Sequence, residues 1–524
     1  MNGNEHRDIG ETATGKAEVN LGGESPEEAF WLSYGDVMAL SGDYFSLQPS
    51  LVNAGDGHAR RGARPPGELF SLARTPGQRG TLLGTRDEII CALKVMTIDE
   101  GFADARFEPG GRFADYLFSD QASSTEVERR VRDHYLELAA TNDDHFVVPG
   151  GVTHEHPRAT PTPFGSAILA YRHFHEAALE EACRLGRNDG DQSQAMAREA
   201  AAQHFLPAAI TAGHMRTPVA QIRTFWRSRY PDFWENLQRK VASDTASTLR
   251  ELAWVLRSLP TRLLHDSTLA ALKMRTSLYP ELSLGDFLAR LFHDWDNSHG
   301  LTIDGGGVVF GDGHGDQGAT REHALAAVRA GIEDVEASFE LGASGARLSG
   351  EPLYRAVRSA TGAPQSIFLA ETKIPHSSAV NPPQNWRSTN VQALWDTPIV
   401  GNRGTTVGEA LAEMMQPDGH FIRQLDCLGQ GLVEAHGVLA APFLGDWLAR
   451  KGCQAYHRGF VDPLAAQPRR AILSVIDGSA EPGSRNAKRR AFRPLNSRVS
   501  DLQLPSSRSS RRARSGNHSP GETA

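Results

Sequence analysis

Cysteine is scarce in this 524-residue chain. Cys91, Cys183, Cys427 and Cys453 lie far apart, with no CxxC pair. That spacing excludes a disulfide-framed small domain and a thiolate zinc finger. Aromatic residues make up only 7%, so the core must be packed mainly by Ala, Leu and Val. No uninterrupted apolar run reaches the ~18 residues of a membrane-spanning helix. The opening stretch MNGNEHRDIGETATGKAEVN lacks the apolar core and cleavage pattern of a Sec-type signal peptide. The expected location is therefore the cytoplasm, or outside the cell by a non-Sec route. The net charge of −8 is too mild to mark a polyanion-binding protein, and no specific nucleic acid is expected. GxSxG, the P-loop and GxGxxG before a helix are also missing, which removes support for a serine hydrolase or a nucleotide-using enzyme.

What the chain does have is histidine. Its 20 imidazoles outnumber the 4 Cys and 8 Met together, so any metal chemistry falls to imidazole and carboxylate. Four regions are expected. Residues 1–25 are polar and Gly-rich and read as disordered. Residues 26–345 read as a helical catalytic domain and residues 346–480 as a C-terminal helical extension. Residues 481–524 read as a disordered basic tail, with ten Lys/Arg against three Asp/Glu. Such a tail gains ~1 kcal/mol per charge near an anionic membrane, which makes peripheral membrane contact an expectation. Helical periodicity is legible at 124–140, 164–185, 193–212, 245–258, 266–278, 320–340, 405–416 and 430–450. The only strand signal runs through 300–310. The fold class expected is all-α.

Four clusters carry potential chemistry. In the first, Gly35-Asp36 and Gly42-Asp43 put two carboxylates on glycine-loosened turns, where they suit a metal or a proton. They equally suit helix caps. The second, Asp143-Asp144-His145-Phe146, sets an imidazole beside carboxylates, as a metal corner or a helix C-terminus with an Asx turn. The third runs from His204-Phe205-Leu206-Pro207 to Gly213-His214-Met215-Arg216-Thr217-Pro218. On a straight helix its two histidines stand about 15 Å and about 280° apart. Either they serve different ions, or Pro207 and Gly213 bend the segment. Arg216 offers a guanidinium for a phosphate. The fourth, His293-Asp294-Trp295-Asp296-Asn297 followed by Gly311 to Asp316, supplies N and O ligands but lacks the terminal Glu of an EF-hand. Buried helices with satisfied histidines, or an acidic loop, are the plainer alternatives.

Taken in order, GDxxxLxGD, NxxHF, HFL…AGHMRTP and HDxDN…G resemble bacterial zinc-dependent phospholipases C of the phospholipase C/nuclease P1 superfamily. The resemblance covers Trp31 to Asp316 and is most specific over 202–218. It implies a multi-helix core around two or three zinc ions and hydrolysis of a phospholipid, with phosphatidylcholine as the expected class, to diacylglycerol and a phosphorylated head group. By the same resemblance His145, His204 and His214 are zinc ligands, with the last two on one helix. Asp36 or Asp43 is the general base or a zinc-linked carboxylate, and His293 and Asp296 complete the last site. Ala208 stands where the superfamily commonly has Asp, so Asp43 or Asp144 is expected to substitute. A nuclease or phosphatase on the same scaffold, or a catalytically impaired relative, are the alternatives.

Overall fold

Alanine-rich, periodic segments lose little side-chain freedom on becoming helical, and most of the described residues follow that preference. The computed structural model describes residues 3–20, 31–43, 145–147, 166–253, 257, 259–276, 282–311, 313–363, 368–376, 386–399, 404–415, 451–452 and 454–478. In chain order the elements are α1 (Gly3–Thr14), β1 (Glu18–Asn20), β2 (Trp31–Ser33), α2 (Tyr34–Asp43), α3 (Ala167–Arg187), α4 (Ser193–Ala202), α5 (Phe205–Ile210) and α6 (Ala212–Arg216). They continue with α7 (Val219–Arg229), α8 (Phe233–Leu252), α9 (Thr261–Thr276), α10 (Leu284–His299), β3 (Leu301–Thr302), β4 (Val308–Val309), α11 (Thr320–Ala343) and α12 (Gly350–Thr361). Last come α13 (Val391–Trp395), α14 (Val407–Met414), α15 (Asp462–Ala466) and α16 (Pro468–Ile476). The fold is all-α. Among the described residues the only strands form two short antiparallel pairs, Val19 opposite Leu32 and Thr302 opposite Val308. None of the described helices is long and apolar enough to cross a membrane.

Local signals start and stop the helices that matter. The Ser166 hydroxyl accepts from the Leu169 N–H and opens α3. A reciprocal Ser283/Asp286 capping box opens α10, satisfying two orphan N–H groups at once. Gly300, at φ 76°, closes it, a conformation that costs glycine nothing.

Among the described residues three large apolar clusters form the core, with a small fourth at Leu249, Ala253 and Ala455. The first gathers Ile9, Val37, Leu40, Phe174, Phe205, Leu206, Ile210 and Val328, so α1, α2, α3, α5 and α11 share it. The second joins Ile222, Trp226, Val241, Leu288 and Phe292 to Trp386, Trp395, Leu411, Tyr456 and Ile472. The third packs the far ends of α3 and α11 against α12 and Phe368.

Described residues in 386–399, 407–415 and 456–475 pack into the same apolar cluster as α7, α8 and α10. Gly3–Thr14, expected to be disordered, is a helix whose buried face is Gly3, His6, Ile9 and Gly10. The periodic stretches at 124–140 and 430–450, and the basic tail, lie outside the described residues.

Candidate metal centre

The periodic stretch 193–212 divides between three short helices, α4, α5 and α6. Pro207 has no N–H to give back to Gln203, and the Gln203 carbonyl instead accepts from Leu206 N at 3.3 Å. Thr211 is extended (φ −71°, ψ 139°) and separates α5 from α6. The break is held from outside. Gly213 N–H donates to Asn297 Oδ1 at 2.7 Å. A Cβ on Gly213 would fall 2.5 Å from the His293 carbonyl oxygen, so only glycine lets α6 lie this close to α10. His204 thus sits in the turn before α5 and His214 on α6, not together on the one helix that the resemblance implies.

The break brings both histidines to His145. Ring centroids lie 4.6 Å apart for His145–His204 and 5.9 Å for His145–His214. The line extends at both ends, with His214–His293 at 4.8 Å and His6–His204 stacked at 4.0 Å. Five imidazoles from α1, residue 145, the α4–α5 turn, α6 and α10 form one buried row. Phe146 closes edge-on over His214 at 4.8 Å.

Hydrogen bonds assign the ring protons. His204 Nδ1–H donates to the Met38 carbonyl at 2.9 Å, which leaves Nε2 to accept from His145 Nε2 at 2.7 Å. The Thr211 hydroxyl gives its one proton to the Ala208 carbonyl at 2.8 Å, so its contact with His214 at 2.7 Å is a bond donated by Nδ1–H. His293 Nδ1–H donates to Asp294 Oδ1 at 2.7 Å. Its Nε2 accepts from the Asn297 amide at 3.2 Å, because Gly213 already holds Asn297 Oδ1. Three rings therefore carry the proton on Nδ1, each fixed by a carbonyl, a hydroxyl or a carboxylate. That is the outer-shell pattern that orients metal-ligating histidines.

Burial keeps His204 and His6 neutral. It lowers the His204 imidazole to about 3, against the opposing pull of the Met38 carbonyl. Burial, with His204 next to it, holds His6 well below the ordinary histidine value. The His6 Nδ1 is buried without a hydrogen-bond partner, an orphan of the kind that calls for an explanation.

The carboxylates fall elsewhere. Asp36 opens α2 and pairs with Arg7 at 2.9 Å. That helix serves the row with the Met38 carbonyl. Arg216 and Asp296, expected as a phosphate cation and a metal ligand, grip each other bidentately at 2.7 and 2.5 Å, both buried. The Asp144 position and the Asp43 side chain lie outside the described residues. Among the described residues, no three His, Cys, Asp or Glu side chains converge as a ready ion cage.

The donor chemistry nonetheless fits zinc, which takes neutral imidazole readily. At 2.7 Å the His145 and His204 Nε2 atoms share a proton that a cation would replace. The N···N distance for two imidazoles on one tetrahedral zinc is about 3.3 Å, from Zn–N bonds of ~2.0–2.1 Å. Loading that pair therefore requires the rings to part.

Three groups of this row were not read from the sequence: His6, the Met38 carbonyl and Thr211. A faint signal existed for His6, since Gly3, His6, Ile9 and Gly10 keep helical spacing. Comparison with family models, with curated proteins and with solved structures returns no match.

Proposed function

We propose that the chain is a zinc-dependent phosphodiester hydrolase, a phospholipase C acting on phosphatidylcholine-type lipids to give diacylglycerol and a phosphorylated head group. The observation that carries the metal reading is the row of buried imidazoles whose Nδ1 protons on His204, His214 and His293 are each taken by a fixed acceptor. The lipid class rests on the sequence resemblance over 31–316. His6, His145, His204, His214 and His293 would hold the ions. Bound zinc would supply Lewis acidity toward phosphate oxygens and a water whose pKa is lowered toward ~7.

The chain's own groups do the rest. Met38, Thr211 and Asp294 fix the imidazole tautomers and keep the rings from turning. Phe146 limits water around His214. The Arg216–Asp296 pair braces α6 against α10 behind the row. Asp36 serves as a base only if its pair with Arg7 opens, which favours Asp43 for that role.

One observation favours a second reading, a catalytically impaired relative. Ala208 offers a backbone carbonyl to Thr211 where the resemblance expects a carboxylate. A rate comparison on choline phosphodiesters and single-stranded nucleic acid, with zinc supplied, separates the possibilities. The proposal expects hydrolysis of the lipid head-group bond. Cleavage of nucleic acid alone rejects the substrate class, and no turnover by zinc-loaded protein supports the impaired relative.

A further inference from the structure

Behind His204 lies a second buried polar network that takes no part in the row. The His175 Nδ1 contacts Glu199 Oε2 at 2.5 Å, and its Nε2 lies 3.6 Å from Asp334 Oδ2, with all three side chains fully buried. Burial alone would lower this imidazole, but the two carboxylates raise it to about 10. It is an imidazolium clamped between anions. With no solvent exposure the trio is not a binding site.

Its outlet is Gln203. The Gln203 amide Nε2 donates to Glu199 Oε1 and to the Val328 carbonyl, both at 2.8 Å. Gln203 Oε1 accepts from the Tyr34 hydroxyl at 2.7 Å. Gly331 of α11 lies against this amide, and a Cβ there would fall 2.5 Å from Glu199 Oε1. Bare backbone lets α11 close over the network. Buried charges are costly unless paired, and Glu199 is held from both sides, by His175 and by Gln203.

The placement is what matters. Gln203 immediately precedes His204 in the turn between α4 and α5. Tyr34 opens α2, the helix whose Met38 carbonyl takes the His204 Nδ1 proton. One side-chain amide therefore ties the peptide that carries His204 to the helix that carries its acceptor.

We propose that Gln203, braced by Glu199 and Tyr34, is a positioning residue that sets the tautomer and aim of His204. Its consequence for metal affinity rests on the zinc reading above; the ring geometry does not. The test uses the full-length chain with Tyr34→Phe and Gln203→Met. Ser338→Ala is the control, since it deletes a comparable buried bond to the Leu179 carbonyl. Three quantities are measured: the ¹⁵N shifts of the His204 ring in zinc-free protein, the zinc dissociation constant by chelator competition, and Tm.

The expected result is a His204 ring drifting toward mixed tautomers and zinc affinity falling ~10–100-fold in both network variants. Ser338→Ala lowers Tm alone. If both variants keep the wild-type ring signature and zinc affinity while Tm falls, the network is only structural and the proposal is overturned. Tyr34→Phe decides the matter if Gln203→Met fails to fold. If wild-type protein binds no zinc, the metal reading fails, and the ring shifts still decide the positioning role.

Discussion

At the scale of single residues, the chemistry follows from which partner each polar group finds. Arg216 was legible as a cation near the histidines, but sequence cannot show that Asp296, eighty positions later, takes both of its prongs. Removing one partner of a buried ion pair strands the other charge, at a cost of about 3–5 kcal/mol. Arg216→Ala is therefore expected to lose about that much stability in urea unfolding, with Asp296→Ala losing a similar amount. A catalytic phosphate-binding arginine that is not structural would instead lose activity with its unfolding midpoint unchanged. His145, His204, His214 and His293 were legible because local motifs surround them. Met38 and Thr211 were not, because a backbone carbonyl and a hydroxyl act here through position, and every residue has the first.

At the scale of elements, the ten-residue gap between His204 and His214 posed a geometric question that sequence left open. The extended Thr211 answers it, and the close approach of Gly213 to α10 holds the answer in place. Gly213→Ala is expected to push α6 from α10, with about 1–3 kcal/mol of overpacking strain. Zinc binding should weaken alongside. Calorimetric zinc titration checks this, and unchanged affinity with an unchanged midpoint would contradict the packing account. The helices at 164–185, 266–278 and 320–340 were readable within a few residues, because long periodic faces dominate their local choices. α1 was not. Its buried face has only one large apolar residue, Ile9, so the stripe is lost among Gly and polar neighbours until α2 and α11 cover it.

At the scale of the whole molecule, buried histidines of opposite kind shape stability from both sides of neutrality. His6 and His204 are held neutral, below their unfolded value of about 6.5. The His204 contribution is complete above about pH 6.5 and declines as pH falls toward about 3, at roughly 1.4 kcal/mol per pH unit, and that of His6 declines in the same direction. His175 is raised to about 10. Its contribution is complete below about 6.5 and is lost as pH rises through about 10. Urea midpoints of metal-free protein across pH should therefore fall on both flanks, and a flat profile between pH ~4 and ~6.5 contradicts the neutral burial of His6 and His204. The all-α class was readable from periodicity alone. The apolar partners that α7, α8 and α10 find at 386–399, 407–415 and 456–475 were not readable, because they lie far along the chain, beyond any local pattern. The central claim, that the imidazole row holds zinc and acts with it on a phosphodiester, is tested most directly by elemental analysis of His204→Ala beside wild type. The account predicts zinc in the wild-type protein, and its loss in the variant together with choline-phosphodiester hydrolysis. A variant that keeps the zinc content and rate of the wild type would contradict it.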